Sequence, residues 1–156
     1  MKVAIGNDHA AIQLKEDILN HLLGKKTDEA VKESKIKVGD FGARDKESMD
    51  YPDYAWEICN KVRSSEFNLG ILICGTGAGM CIAANKIRGI RAVVCSDPYT
   101  AQLARAHNDA NVLCIGSRVV GNELAKYIVD AFIKAPFEGG RHGKRVEKIM
   151  ELEDRD

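Results

Sequence analysis

Residues 71–86 read ILICGTGAGMCIAANK. The apolar run from Leu69 to Ile73 has the look of a buried strand, and it ends in Cys74. Gly75, Gly77 and Gly79 follow within five residues, and helix-like sequence begins after them. A glycine loop between a strand and a helix presents backbone N–H groups and a helix dipole to an anion. A strand–loop–helix joint of this kind is also the repeating unit of a parallel α/β sheet.

Working outward from the joint, the same alternation recurs. Short apolar runs at 2–6, 36–41, 91–95 and 111–115 read as further strands. Between them, Ala11, Leu14, Ile18 and Leu22 recur at helical spacing, as do Ala55, Ile58, Cys59 and Val62 behind Pro52, a residue suited to a first helical turn. Further helices are expected over about 98–106, 121–134 and 140–152, with the helix after the glycine loop reaching about Lys86. The pattern predicts one domain spanning 1–156, a Rossmann-like α/β/α three-layer sandwich on a five-stranded parallel sheet. Residues 24–35, GKKTDEAVKESK, read as a solvated connection.

Composition sets the class. The 156 residues are 45% hydrophobic and 29% charged, and 23 basic residues balance 23 acidic ones. Zero net charge argues against a nucleic-acid or membrane-surface protein. No apolar run approaches the ~20 residues of a membrane span. The opening MKVAIGNDHA enters a strand directly, so no secretory leader is expected. The five cysteines, Cys59, Cys74, Cys81, Cys95 and Cys114, form no C-x-x-C pair and are odd in number. Neither a disulfide framework nor a metal site is expected, and the compartment is expected to be reducing and cytoplasmic.

In open α/β sheets, ligands bind outside the carboxyl ends of the strands. That edge collects Asn7, Asp8 and His9 after strand 1, Cys74 and its loop after strand 3, and Ser117 and Arg118 after strand 5. The loop lacks the lysine of a nucleoside-triphosphate loop. Met80 stands where a dinucleotide fingerprint needs glycine and where a C-x5-R phosphatase loop needs arginine. A general anion cradle survives, beside the plainer alternative of a tight turn. Cys74 reads either as a buried structural cysteine or as a thiolate favoured by the helix N-terminus, acting as nucleophile or base. Cys59, Cys81, Cys95 and Cys114 read as structural. Asp8 either caps the next helix or, with His9, faces a ligand.

His107-Asn108 lies after the fourth helix and before strand 5, at the amino edge of its own sheet, while Cys74 lies at the carboxyl edge. If both serve one reaction, a partner chain must bring His107 to Cys74; otherwise His107 interacts with its helix macrodipole. Arg141 and Arg145, four apart in GGRHGKR, stack on a helix face and suit a phosphate dianion, or form a solvated basic turn. His142 between them reads as a bystander.

These residues together resemble the ribose-5-phosphate isomerase B family, which includes galactose-6-phosphate and allose-6-phosphate isomerases. The similarity rests on GNDHA at 6–10, DYPDYA at 50–55, ILICGTGAGMCIAANKIRGIRAVVCSDPYTAQLARAHNDANVLCIGSRVVG at 71–121 and FEGGRHGKRVEKI at 137–149. The charged stretch at 24–35 is longer than in typical members. The resemblance implies a dimer or dimer of dimers with active sites shared between subunits. It implies Cys74 as the base, in the cysteine-type branch, and His107 as the residue that opens the sugar ring. It further implies Gly75, Thr76, Gly77, Ala78 and Gly79 as the loop holding an enediolate, with Thr76 in the catalytic group. Asp8, His9, Tyr51 and Asn108 become substrate contacts, and Arg118, Arg141 and Arg145 phosphate-side contacts. The implied reaction interconverts ribose 5-phosphate and ribulose 5-phosphate without cofactor or metal. The alternatives are the same chemistry on allose 6-phosphate or galactose 6-phosphate, or a flavodoxin-like binding module, which shares the layer order.

Overall fold

A computed structural model describes residues 1–24, 36–44 and 50–155. Most of the charged stretch at 24–35 therefore lies outside the described residues. Among these, five strands and six helices alternate as the sequence predicts: β1 (Lys2–Asn7), α1 (Ile12–Leu22), β2 (Lys37–Asp40), α2 (Tyr51–Arg63), β3 (Leu69–Cys74), α3 (Ala78–Ala84), β4 (Ala92–Val94), α4 (Pro98–Asn108), β5 (Val112–Gly116), α5 (Asn122–Lys134) and α6 (Arg141–Glu151). β4 is two residues shorter than expected, and α4 runs on through His107 and Asn108. None of the described helices is long and apolar enough to cross a membrane.

The sheet is wholly parallel, in the order β2-β1-β3-β5-β4. Parallel crossovers are right-handed, so a connection's direction along the sheet fixes the face its helix covers. β1→β2 and β4→β5 run one way, and α1 and α4 lie on one face with α5. β2→β3 and β3→β4 run the other way, and α2 and α3 cover the opposite face. The two cores show the division. Val3, Ile5, Ile71 and Ile73 pack against Leu14, Ile18, Ala101, Ala104 and Phe132. Ala4, Leu72 and Cys114 pack against Ala55, Ile58, Met80 and Ala84. β3, with six buried residues, is buried on both faces, which explains why it reads as an unbroken apolar run.

Two consequences locate a site. Connections leave β1 and β3 in opposite directions, so the crevice between their carboxyl ends is the switch point at which open α/β sheets bind ligands. The strand order also separates this fold from the flavodoxin arrangement, in which the fourth and fifth strands are exchanged.

Candidate functional site

The loop after β3 is fixed by close backbone contacts that only glycine allows. Gly77 has φ +80°, and a Cβ there would sit 2.8 Å from Val94 and 3.0 Å from the Ile115 backbone. A Cβ on Gly116, at the end of β5, would lie 2.7 Å from the Thr76 carbonyl. The loop therefore presses onto the end of β5, where the Ser117 N–H donates to Cys74 O (2.8 Å) and the Arg118 N–H to Gly75 O (3.0 Å).

Held this way, the loop turns its donors toward Cys74. The Gly77 N–H donates to Cys74 Sγ at 3.1 Å, and the thiol is 5% exposed. Thr76 is exposed, and its hydroxyl accepts from the Ala78 N–H at 3.4 Å, leaving the hydroxyl proton to donate outward. Tyr51 opens α2 with its ring against Gly79, where a Cβ would come within 2.9 Å. The Arg118 guanidinium lies over Gly75.

The neighbouring end of β1 joins the same rim. Asp8 N–H donates to Ile73 O at 3.1 Å, and the Ala10 N–H donates to Asp8 Oδ1 at 2.9 Å. Asp8 does not cap α1, whose N-cap is Ala11; it closes a turn of its own and stays buried. Ser117 Oγ donates to Ala10 O at 3.1 Å, tying the β1 and β5 ends together. His9 Nδ1 is buried, and among the described residues it has no hydrogen-bond partner. Asp8, His9, Tyr51, Cys74, Gly75, Thr76, Gly77, Ala78, Gly79 and Arg118 thus gather at one edge.

His107, Asn108, Arg141 and Arg145 lie at the other. α4 starts after β4 and returns beside the sheet for 11 residues, about 16 Å of axial rise. It ends at Asp109, a left-handed residue (φ +46°) whose carboxylate is clamped by Arg91 and Arg105, each at 2.7 Å. That clamp fixes where His107 and Asn108 emerge. α6 packs on α4, and a shallow depression on it is lined by Gly140, Arg141, Lys144, Arg145 and Lys148. His142, a bystander by sequence, stacks face to face on His107, centroids 4.1 Å apart and planes 6° apart. Glu138 Oε2 stands 3.6 Å from His107 Nε2 and 3.7 Å from His142 Nε2.

These three offer donor atoms within 4.8 Å of one another, a grouping the sequence spacing did not suggest. The in-plane lone pairs of the two imidazoles lie in nearly parallel planes, however, and do not converge on one ion. The pKa of His142 is lowered, by desolvation first and then by the charges of His107 and Arg141, against the opposing pull of Glu138. Sequence reasoning missed His142 and Glu138 because their role depends on how α6 docks on α4.

The remaining thiols divide. Burial pushes Cys59 up to about 12 and, with help from Asp97 and Cys81, Cys95 up to about 11. Cys114 is raised well above its ordinary value, first by its hydrogen bond with Cys81 and then by burial. Cys81 differs from these three: it is half-buried, and its hydrogen bond with Cys114 lowers its pKa to about 7 against the effect of burial.

A family model described as Ribose/Galactose Isomerase matches residues 3–149. Ribose-5-phosphate isomerase B of Escherichia coli K12 is 53% identical over 154 residues, covering 99% of this chain and 97% of that protein. D-erythrulose-4-phosphate isomerase of Pectobacterium atrosepticum is 44% identical over 150 residues, covering 96% and 93%. The solved structure of Clostridium thermocellum ribose-5-phosphate isomerase B matches with a TM-score of 0.91 at 48% identity, over 99% of each chain.

Proposed function

The chain belongs to the Ribose/Galactose Isomerase family and by that membership is an aldose–ketose isomerase; we propose that it interconverts ribose 5-phosphate and ribulose 5-phosphate through an enediolate. The observation that carries the mechanism is the Gly77 N–H aimed at Cys74 Sγ, 3.1 Å away, at the switch point of the sheet.

The substrate is a furanose whose C2 proton is weakly acidic. His107 opens the ring, moving a proton from the C1 hydroxyl and delivering one to the ring oxygen. The Cys74 thiolate removes the C2 proton and returns it to C1, while the O2 hydroxyl proton passes to O1, so that C1 ends as an alcohol carbon and C2 as the ketone. Negative charge passes to the substrate oxygens, where the N–H groups of Gly75, Gly77, Ala78 and Gly79 and the Thr76 hydroxyl receive it. One such donor is worth ~3 kcal/mol in the transition state. Asp8, His9, Tyr51 and Asn108 hold the sugar. Arg118, Arg141 and Arg145 hold the phosphate, whose binding energy orients the reacting carbons. No step calls for a cofactor or metal.

Cys74 and His107 lie at opposite edges of one sheet, so a second copy of the chain supplies His107, Asn108, Arg141 and Arg145 to the first copy's Cys74. Apolar groups around the carboxyl edge support this pairing: Ile82, Val94, Tyr99 and Val119 are 64, 45, 71 and 57% exposed. The working unit is a homodimer or a pair of dimers, placed in the cytoplasm. The test is an assay of ribose 5-phosphate, allose 6-phosphate and galactose 6-phosphate with EDTA present. Turnover of the five-carbon sugar is expected; turnover of only a six-carbon sugar would reassign the substrate, and none on any would remove the reading.

A further inference from the structure

We propose that His142 is a positioning residue for His107: its buried ring is the flat platform that holds the His107 imidazole in the plane needed to open the sugar. The inference rests on the ring-opening role proposed for His107. Three observations carry it. The two rings are stacked, parallel within 6° and with centroids 4.1 Å apart. The His142 side chain is only 9% exposed, whereas that of His107 is 33% exposed, so the outer ring is the one free to meet a ligand and the inner one the one held by packing. Arg141 Nε lies 3.5 Å from His142 Nε2, and desolvation together with the neighbouring cations lowers the pKa of His142.

The charges facing His142 agree. From its own helix come Arg141 and Arg145, from α4 comes His107, and from the connection before α6 comes the carboxylate of Glu138. Three of these oppose a proton on His142, and burial adds to them. Glu138 faces both rings, 3.6 Å from His107 Nε2 and 3.7 Å from His142 Nε2. His107 must gain and lose a proton in each ring opening without leaving its plane. A neutral aromatic face supports it in both states, as imidazole by stacking and as imidazolium by attraction of the cation to the ring.

The experiment compares His142→Phe with His142→Leu, which both fill the space while only phenylalanine offers a flat face. Ribose 5-phosphate, which must be opened, is assayed beside erythrose 4-phosphate, whose O4 is esterified and cannot close a furanose. The leucine variant is expected to lose ~10-fold in kcat/KM on ribose 5-phosphate and little on the four-carbon sugar, a fraction of what general acid–base catalysis supplies. The phenylalanine variant is expected to stay near the parent on both. A second readout uses ribose 5-phosphate alone: slowed ring opening masks the isotope effect of deuterium at C2, so that effect shrinks in the leucine variant.

Equal losses on both substrates, or equal behaviour of the two variants, would overturn the positioning role. So would a leucine variant with a ribose-specific loss but an enlarged isotope effect. His107→Ala run alongside separates the two layers. If it too shows no ribose-specific loss, the ring-opening reading is what has failed; if it does while the leucine variant does not, only the role of His142 has.

Discussion

The two edges of the sheet hold their groups by different means. At the carboxyl edge the backbone is the device: glycines let the loop after β3 press onto β5, and an N–H ends up on a buried sulfur. At the amino edge the side chains are the device: Asp109 is clamped by two arginines, and His107 lies on His142 beside Glu138. The contrast matches the chemistry proposed for each. Charge developing on carbon and oxygen is best met by fixed dipoles that need no reorganisation. Ring opening and phosphate binding need titratable and charged groups, which only side chains supply. The carboxyl edge lacks the histidine proposed for ring opening, and for that reason the proposed mechanism draws on a second copy of the chain.

The sharpest way to break the contrast is to remove the thiol. Cys74→Ala is expected to cut turnover by ~10³-fold or more, within the range of a lost general base, while substrate still protects the protein against thermal unfolding. Near-parent rates would take Cys74 out of the base role. At the other edge, His107→Ala is expected to lose ~10²-fold on cyclic ribose 5-phosphate while largely sparing erythrose 4-phosphate. A smaller effect tests the backbone device itself. Gly77→Ala places a side chain in a left-handed conformation, costing about 1–2 kcal/mol, and pushes against Val94 and Ile115. Its melting temperature should fall and its kcat with it, whereas a fall in stability alone would mean the loop's exact path is not used.

The smallest expected effect concerns the thiols. Because its pKa is about 7, Cys81 is increasingly thiolate above neutrality, so its alkylation, followed by peptide mass spectrometry, should rise through pH 7. Cys59, pushed up to about 12, should stay unmodified in the folded protein throughout. Modification of Cys59 and Cys81 at equal rates would contradict that difference.

Much of the fold was legible because each element carries its own signal. β3 is an apolar run, Pro52 and Pro98 open helices, and α5 shows its buried stripe at Ala125, Ile128, Val129 and Phe132. The opposition of Cys74 and His107 was legible too, since it follows from chain order in a parallel sheet. What was hidden is what depends on packing between distant segments. The exchange of β4 and β5 leaves no local trace. Nor does the seating of His142 on His107, 35 positions earlier in the chain, or the Cys81–Cys114 contact that makes one thiol unlike its neighbours. Asp8 misled in a smaller way: its residue type suits a helix cap, but the chain makes one more turn before α1 begins at Ile12.

In the proposed enzyme each site combines the carboxyl edge of one copy with the amino edge of another. Mixing inactive Cys74→Ala and His107→Ala proteins, unfolding and refolding them together, and assaying ribose 5-phosphate tests it directly. Random pairing gives half heterodimers with one intact site each, so about a quarter of the parent activity should return. Activity no greater than the sum of the two inactive proteins, despite demonstrated subunit exchange, would show that Cys74 and His107 do not meet across an interface.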